Sequence, residues 1–150
     1  MTVVVGVDNS KASGAALRLA AQEARWRQVP LVAVSAYDPP RGPVGGFPGA
    51  AMHTEGEERA TAEVTLRATV NDELGDQTGE TDLRISAGLA GRVIIETARQ
   101  THAQLVVLAA HPGMTMEYVL LKARCPVTIV PGEAADEEKA GGNNKDDSRS

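Results

Sequence analysis

Val3-Val4-Val5-Gly6-Val7-Asp8-Asn9-Ser10 is the stretch that decides the fold. Its valines run without polar alternation, as in a strand buried on both faces. Asp8, Asn9 and Ser10 then offer short side chains that can bond nearby backbone and start a helix. Ala16, Leu17, Ala20, Ala21 and Ala24 recur at helical spacing and predict a helix ending near Gln28. Pro30 blocks its continuation. Leu31-Val32-Ala33-Val34-Ser35-Ala36 is a second buried strand. Strand, helix and strand of this kind make a parallel pair joined by a right-handed crossover.

The alternation continues downstream. Pro39 to Gly49 holds four prolines and four glycines in eleven residues, which predicts a long irregular loop, a functional cover or disordered. Ala62, Leu66, Val70 and Leu74 mark a surface helix from about Glu57, stopped by Gly75. Leu83 to Ala87 alternates and reads as an edge strand. Gly88-Leu89-Ala90-Gly91 leads into a helix with Val93, Ile94, Ile95 and Ala98 inward. Leu105 to Ala109 is a fourth buried strand, Met116 to Ala123 a helix of about two turns, and Pro126 to Val130 a fifth strand. The fold class is α/β: one domain over 1–131, a five-stranded parallel sheet with helices on both faces. Ligands in such folds sit outside the carboxyl ends of the strands, where strand order reverses.

Composition narrows the function. The 150 residues are 42% hydrophobic and 23% charged, as a packed domain requires, with a formal net charge of −5. An acidic chain with 3% aromatics is a poor reader of nucleic acid. The single cysteine, Cys125, excludes an internal disulfide and reads as a small buried hydrophobe. No apolar run reaches membrane-spanning length and the start carries no signal-peptide pattern, so a cytoplasmic location with no membrane contact is expected. Residues 132–150 are expected to form a disordered acidic tail, for they hold six acids, three bases and no large apolar residue.

Val5-Gly6-Val7-Asp8-Asn9-Ser10 with Ser13, Ala16 and Leu17 resembles the opening of the universal stress protein family. Gly88-Leu89-Ala90-Gly91 with Ile94 and Ala98 is similar to that family's Gly-led helix start. Leu105 to Leu108 followed by Cys125-Pro126-Val127 is similar to its last two strands. The resemblance spans about Thr2 to Pro131 and implies strand order 3-2-1-4-5, a Rossmann-like sheet of the adenine nucleotide alpha-hydrolase type. It also implies an adenine-nucleotide cleft between strands 1 and 4. Carried over residue by residue, the cleft would use Val7, Asp8, Asn9 and Ser10, then Val34 and Ser35. Leu108, Ala109, His111 and Gly113 would complete it. Pairing of the fifth strand, Val127-Thr128-Ile129-Val130, across a two-fold axis is implied as well.

The chain departs from that family where the phosphates would lie. The Gly-x-x-Gly turn after strand 4 is replaced by Ala109-Ala110-His111-Pro112, and the later Gly-Ser is absent. Alanine adds a Cβ where backbone must approach closely, and proline removes an N–H. His111, Lys11, Lys122 and Arg92 are the cations offered as compensation. The first expectation is therefore a non-enzymatic, dimeric regulatory or interaction module with no cofactor and an unidentified protein partner. The alternative is an adenine-nucleotide binder, taking ATP or AMP with magnesium. A hydrolase or transferase ranks last, because no nucleophile–base pair stands in the sequence. Asp8 reads equally as a ligand contact and as a turn-capping carboxylate. His53, His102 and His111 read as solvent-facing, with no metal spacing around them.

Overall fold

The computed structural model describes residues 1–39 and 54–132. The Gly/Pro-rich segment from Pro40 and the tail from Glu133 lie outside the described residues, as does His53. Ten elements follow in order: β1 (Thr2–Gly6), α1 (Ala12–Arg27), β2 (Leu31–Tyr37), α2 (Glu55–Leu74), a 3-10 turn (Gly75–Glu80), β3 (Asp82–Ala87), α3 (Ala90–Gln100), β4 (Ala103–Ala109), α4 (Met114–Lys122) and β5 (Val127–Val130). All strand pairs are parallel and the sheet order is β3-β2-β1-β4-β5. The α/β class and the strand order both agree with the sequence reading.

Strand alternation sends side chains to two cores. Val3, Val5, Val7, Leu105 and Val107 face the helical pair α1 and α2, where Leu17, Ala20, Leu66 and Val70 bury against them. Val4, Val32, Val34, Val106 and Leu108 face α3, with Val93, Ile94 and, from α4, Val119. The alanine stripe of α1 lets that helix lie close on the sheet. Its core needs no large side chains beyond Leu17.

Several boundaries differ from the sequence reading, and around α2 and α4 the reason is local. A capping box starts α2 two residues earlier than expected. Thr54 Oγ1 accepts from the Glu57 amide at 3.2 Å, while Glu57 Oε2 accepts from the Thr54 amide at 3.0 Å. Gly75, at φ 56°, does end α2, but the chain then coils into the 3-10 turn, held by Thr78 Oγ1 donating to the Gly75 carbonyl at 2.7 Å. Finally, α4 spans Met114–Lys122, beginning two residues before the expected start and ending one residue before its expected end. Gly113 at φ 149° permits the abrupt entry, a conformation that glycine takes without the Cβ penalty.

Candidate functional site

The carboxyl ends of β1 and β4 part at the centre of the sheet, because β1 connects to β2 on one side and β4 to β5 on the other. A cleft of about 450 Å³ opens there. Its floor is apolar: Gly6 and Val34 from the strands, Ile94 from α3 and Leu108 from β4. Gly6 leaves room for its neighbours, for a Cβ there would lie 2.8 Å from Ile94 Cδ1 and 2.9 Å from Leu108 Cδ2, and those methyls would have to shift. Asp8 stands on one side of the mouth, and His111 and the start of α4 on the other.

Asp8 is occupied by its own loop. Its Oδ1 accepts from the Ser10 amide at 2.7 Å, from Ser13 Oγ at 2.7 Å and from the Ser10 hydroxyl. Ser13 Oγ in turn accepts from the Asp8 amide at 3.0 Å. The carboxylate thereby ties the strand end to the first turn of α1, the task of a turn-capping Asp. Partial burial pushes the Asp8 carboxyl up. The Ser10 and Ser13 hydroxyls and the Ser10 amide, with His111 nearby, outweigh it and hold the group below its ordinary value. All three bonds fall on Oδ1, which leaves Oδ2 without a hydrogen bond among the described residues.

The turn after β4 keeps few free donors. The Ala110 amide is spent, for it donates to the Val130 carbonyl at 2.7 Å and so extends the β4–β5 pairing. Pro112 has no N–H. The remaining donors are the amides of His111 and Gly113 and the first turn of α4, where Gly113 provides no side-chain cap. Met114, Thr115 and Met116 bring that first turn to the cleft wall.

Of the residues singled out from sequence, the structure brings Val7, Asp8, Val34, Leu108, Ala109, His111 and Gly113 to this cleft. Asn9, Ser10 and Ser35 are not on its lining. Ser10 instead supports Asp8, and Ser35 alternates to the sheet face opposite Val34. The compensating cations are elsewhere, which corrects the sequence reading. Arg92 lines a different groove beside β3, Lys122 lines another near Cys125, and Lys11 sits outside the cleft. His111 alone among the cations considered is in place. Helix geometry explains Arg92: Ala90 and Ile94, four apart, share the cleft-facing side of α3, and a residue two positions from each points about 200° away.

Strand-end reasoning reaches the segments that hold Ala36, Ala90, Met114 and Thr115, but it missed Met116 as lining and the capture of the Ala110 amide. The Asp8-x-Ser10 spacing, a common turn signature, carries the turn-capping use of Asp8 that sequence offered as one of two readings. No sequence signal gives the β4–β5 register that consumes Ala110.

Among the described residues no group of three or more His, Cys, Asp or Glu could hold a metal, and no helix is long and apolar enough to cross a membrane. Cys125 is half-buried, and burial pushes its thiol up, away from nucleophilic use. His102 and His111 are exposed. The strand β5 holds one edge of the sheet, with Val130 buried and Val127, Thr128 and Ile129 half-buried.

The fold has solved counterparts. The chain is similar to the universal stress protein UspA from Lactobacillus plantarum, with 25% identity, a TM-score of 0.64, and 86% of this chain and 97% of that one covered. It is similar to a universal stress protein from Archaeoglobus fulgidus solved in complex with dAMP, at 24% identity and TM-score 0.62, covering 87% and 97% of the two chains. A universal stress protein family protein from Arabidopsis thaliana, solved with AMP bound, shares 13% identity at TM-score 0.59, over 91% and 95%. The model of the universal stress protein family matches residues 1–131, and the chain belongs to that family.

Proposed function

We propose that this family member is a non-enzymatic, dimeric regulatory or interaction module of the cytoplasm whose cleft no longer grips a triphosphate. The observation that supports this reading is the cleft lining, which among the described residues holds no lysine or arginine. A triphosphate brings several negative charges, and Asp8 at the mouth adds repulsion. Oriented amides are the usual substitute for cations. Here one is spent on Val130 and one position is proline. The Ser13 hydroxyl and the Asp8 carboxylate are bound to each other, and the carboxylate to Ser10, within the turn, which supports a structural use of the pair over a catalytic one.

Dimerisation is proposed through the β5 edge. Among the described residues its backbone pairs on one side only, with β4, and half-buried Val127 and Ile129 flank it. An unpaired apolar edge is a template for a second chain. Ile129→Lys is expected to convert a dimer to a monomer by light scattering.

A second reading, an adenine-nucleotide binder using AMP or ATP with magnesium, draws on one observation. The uncapped first turn of α4 faces the cleft and could meet a single phosphate, and relatives carry AMP or dAMP. Asp8 Oδ2 and the backbone near Val34 would meet the nucleoside. Calorimetry with adenosine, AMP and magnesium-ATP separates the two readings. We expect ATP to bind no more tightly than AMP, because no lysine or arginine among the described lining residues meets the second and third phosphates. Stoichiometric ATP binding at least tenfold tighter than AMP would overturn the proposal.

A further inference from the structure

A second concavity, of about 700 Å³, lies between the β3 edge and α3 and meets the cleft beside Asp8 only at Val34. It exists because α3 crosses from β3 back over β2, β1 and β4 and leaves the α3-side face of β3 uncovered. The residues that β3 turns to that side are Asp82, Arg84 and Ser86, in register with Val32, Val34 and Ala36. Arg59 from α2 and Arg92 from α3 reach the same groove.

Charge there is unbalanced. Arg84 is neutralised by Asp82, its Nε donating to Oδ2 at 2.9 Å. Glu96, the one carboxylate among the described lining residues, is already engaged by Arg99 at 2.6 Å and Gln100 at 2.9 Å. Arg59 and Arg92 have no ion pair among the described residues. Two uncompensated guanidinium groups in one concavity concentrate positive potential, against the trend of an acidic chain. Guanidinium forks match the oxygens of a phosphoryl dianion. The volume suits a small organic molecule, and Val34 and Val93 give it an apolar wall.

We propose that this groove binds the dianionic phosphoryl group of a small molecule, with Arg59 and Arg92 as the clamp and Ser86 as an added donor. This site is separate from the cleft beside Asp8, and it does not depend on whether that cleft takes a nucleotide. The test is amide NMR titration of the full chain with inorganic phosphate and with ribose 5-phosphate. Phosphate is expected to move the amides of Ser86 to Val93 and leave Asp8 to Ser13 and Gly113 to Met116 in place. Arg59→Ala and Arg92→Ala, both at exposed positions, should each weaken binding about tenfold, while Lys122→Ala, in another groove, should not. Tighter binding of the ester than of free phosphate would identify a phosphorylated organic ligand, and equal binding would identify phosphate itself; both support the clamp. Unmoved groove amides at millimolar phosphate, or equal losses in all three variants, would overturn it.

Discussion

The two faces of this sheet are covered unequally. On one side lie α1 and α2, sixteen and twenty residues long, and on the other α3 and α4, eleven and nine. The first face is closed by an alanine seam around fully buried Leu17. The second leaves Met114, Leu120 and Leu121 in solvent, although Val119 on the same short helix is completely buried. Both concavities described above border this thinner side. Stability and recognition are therefore divided between the faces: the long helices carry the core, and the short ones frame the openings.

That division is most easily broken at Leu17. Leu17→Ala is expected to cost about 3 kcal/mol in urea unfolding, since α1 already packs close through alanines and has little left to collapse into the cavity. A loss below about 1 kcal/mol would mean that the α1 face is no better filled than the other. Next comes Gly91, where α3 and α4 touch. A Cβ at Gly91 would lie 3.0 Å from Tyr118 Cδ1 and 3.1 Å from its Cβ, tighter than ordinary contact. Gly91→Ala should lose about 1 to 2 kcal/mol through this overpacking. Because α4 begins at the cleft, it should also move the amides of Gly113 to Met116 in NMR spectra. A stabilised variant with those amides unmoved would show that α4 is not tied to α3 there.

The unequal faces were partly legible in the sequence. Runs such as Val3–Val7 and Leu105–Leu108 announce strands buried on both sides, and Ala62, Leu66, Val70 and Leu74 show one helical stripe. Those signals depend only on the period of apolar residues, so the order of elements and their packing class could be read directly. The candidate cleft was legible at its backbone positions, Asp8 and the segment after Leu108, because a doubly wound sheet puts its opening at strand ends. Its charge was not. Whether Arg92 or Lys122 reaches the cleft depends on helix rotation and on distance along α4. Lys122 stands seven residues beyond Thr115, about 10 Å along the axis. The occupation of the Ala110 amide was equally hidden, for it depends on how β5 registers against β4.

Asp8 sharpens the contrast through pH. It joins β1 to α1 through Ser13, and so ties the firm face to the cleft mouth. Burial raises its pKa, but the bonds from Ser10 and Ser13 outweigh that, and the folded value lies below the unfolded one. The stabilisation is thus complete at pH values above the ordinary Asp range and disappears as pH falls through the folded pKa. Asp8→Ala should cost about 1 kcal/mol near pH 7, comparable to removal of a helix cap. The gap between variant and parent should close as the solution is acidified below the ordinary carboxylate range. A gap that persists unchanged in acid would assign the loss to packing, and Asp8 would cease to be an electrostatic link.

The smallest effect is expected on the thin face itself. Leu121 is 81% exposed, so truncating it removes little buried surface from the isolated chain. Leu121→Ala should change stability by no more than about 0.5 kcal/mol, at every protein concentration. The concentration series gives this small number its value. Leu120 and Leu121 stand on the helix that runs into β5, the edge proposed to pair with a second copy. If the dimer is confined to the strand edge, Leu121→Ala leaves both the unfolding midpoint and the dimer intact. If the partner copy also covers α4, the same truncation lowers the midpoint most at high concentration, where the dimer is populated. In that outcome the missing cover of the second face is provided by another molecule, and the inequality between the faces belongs to the single chain only.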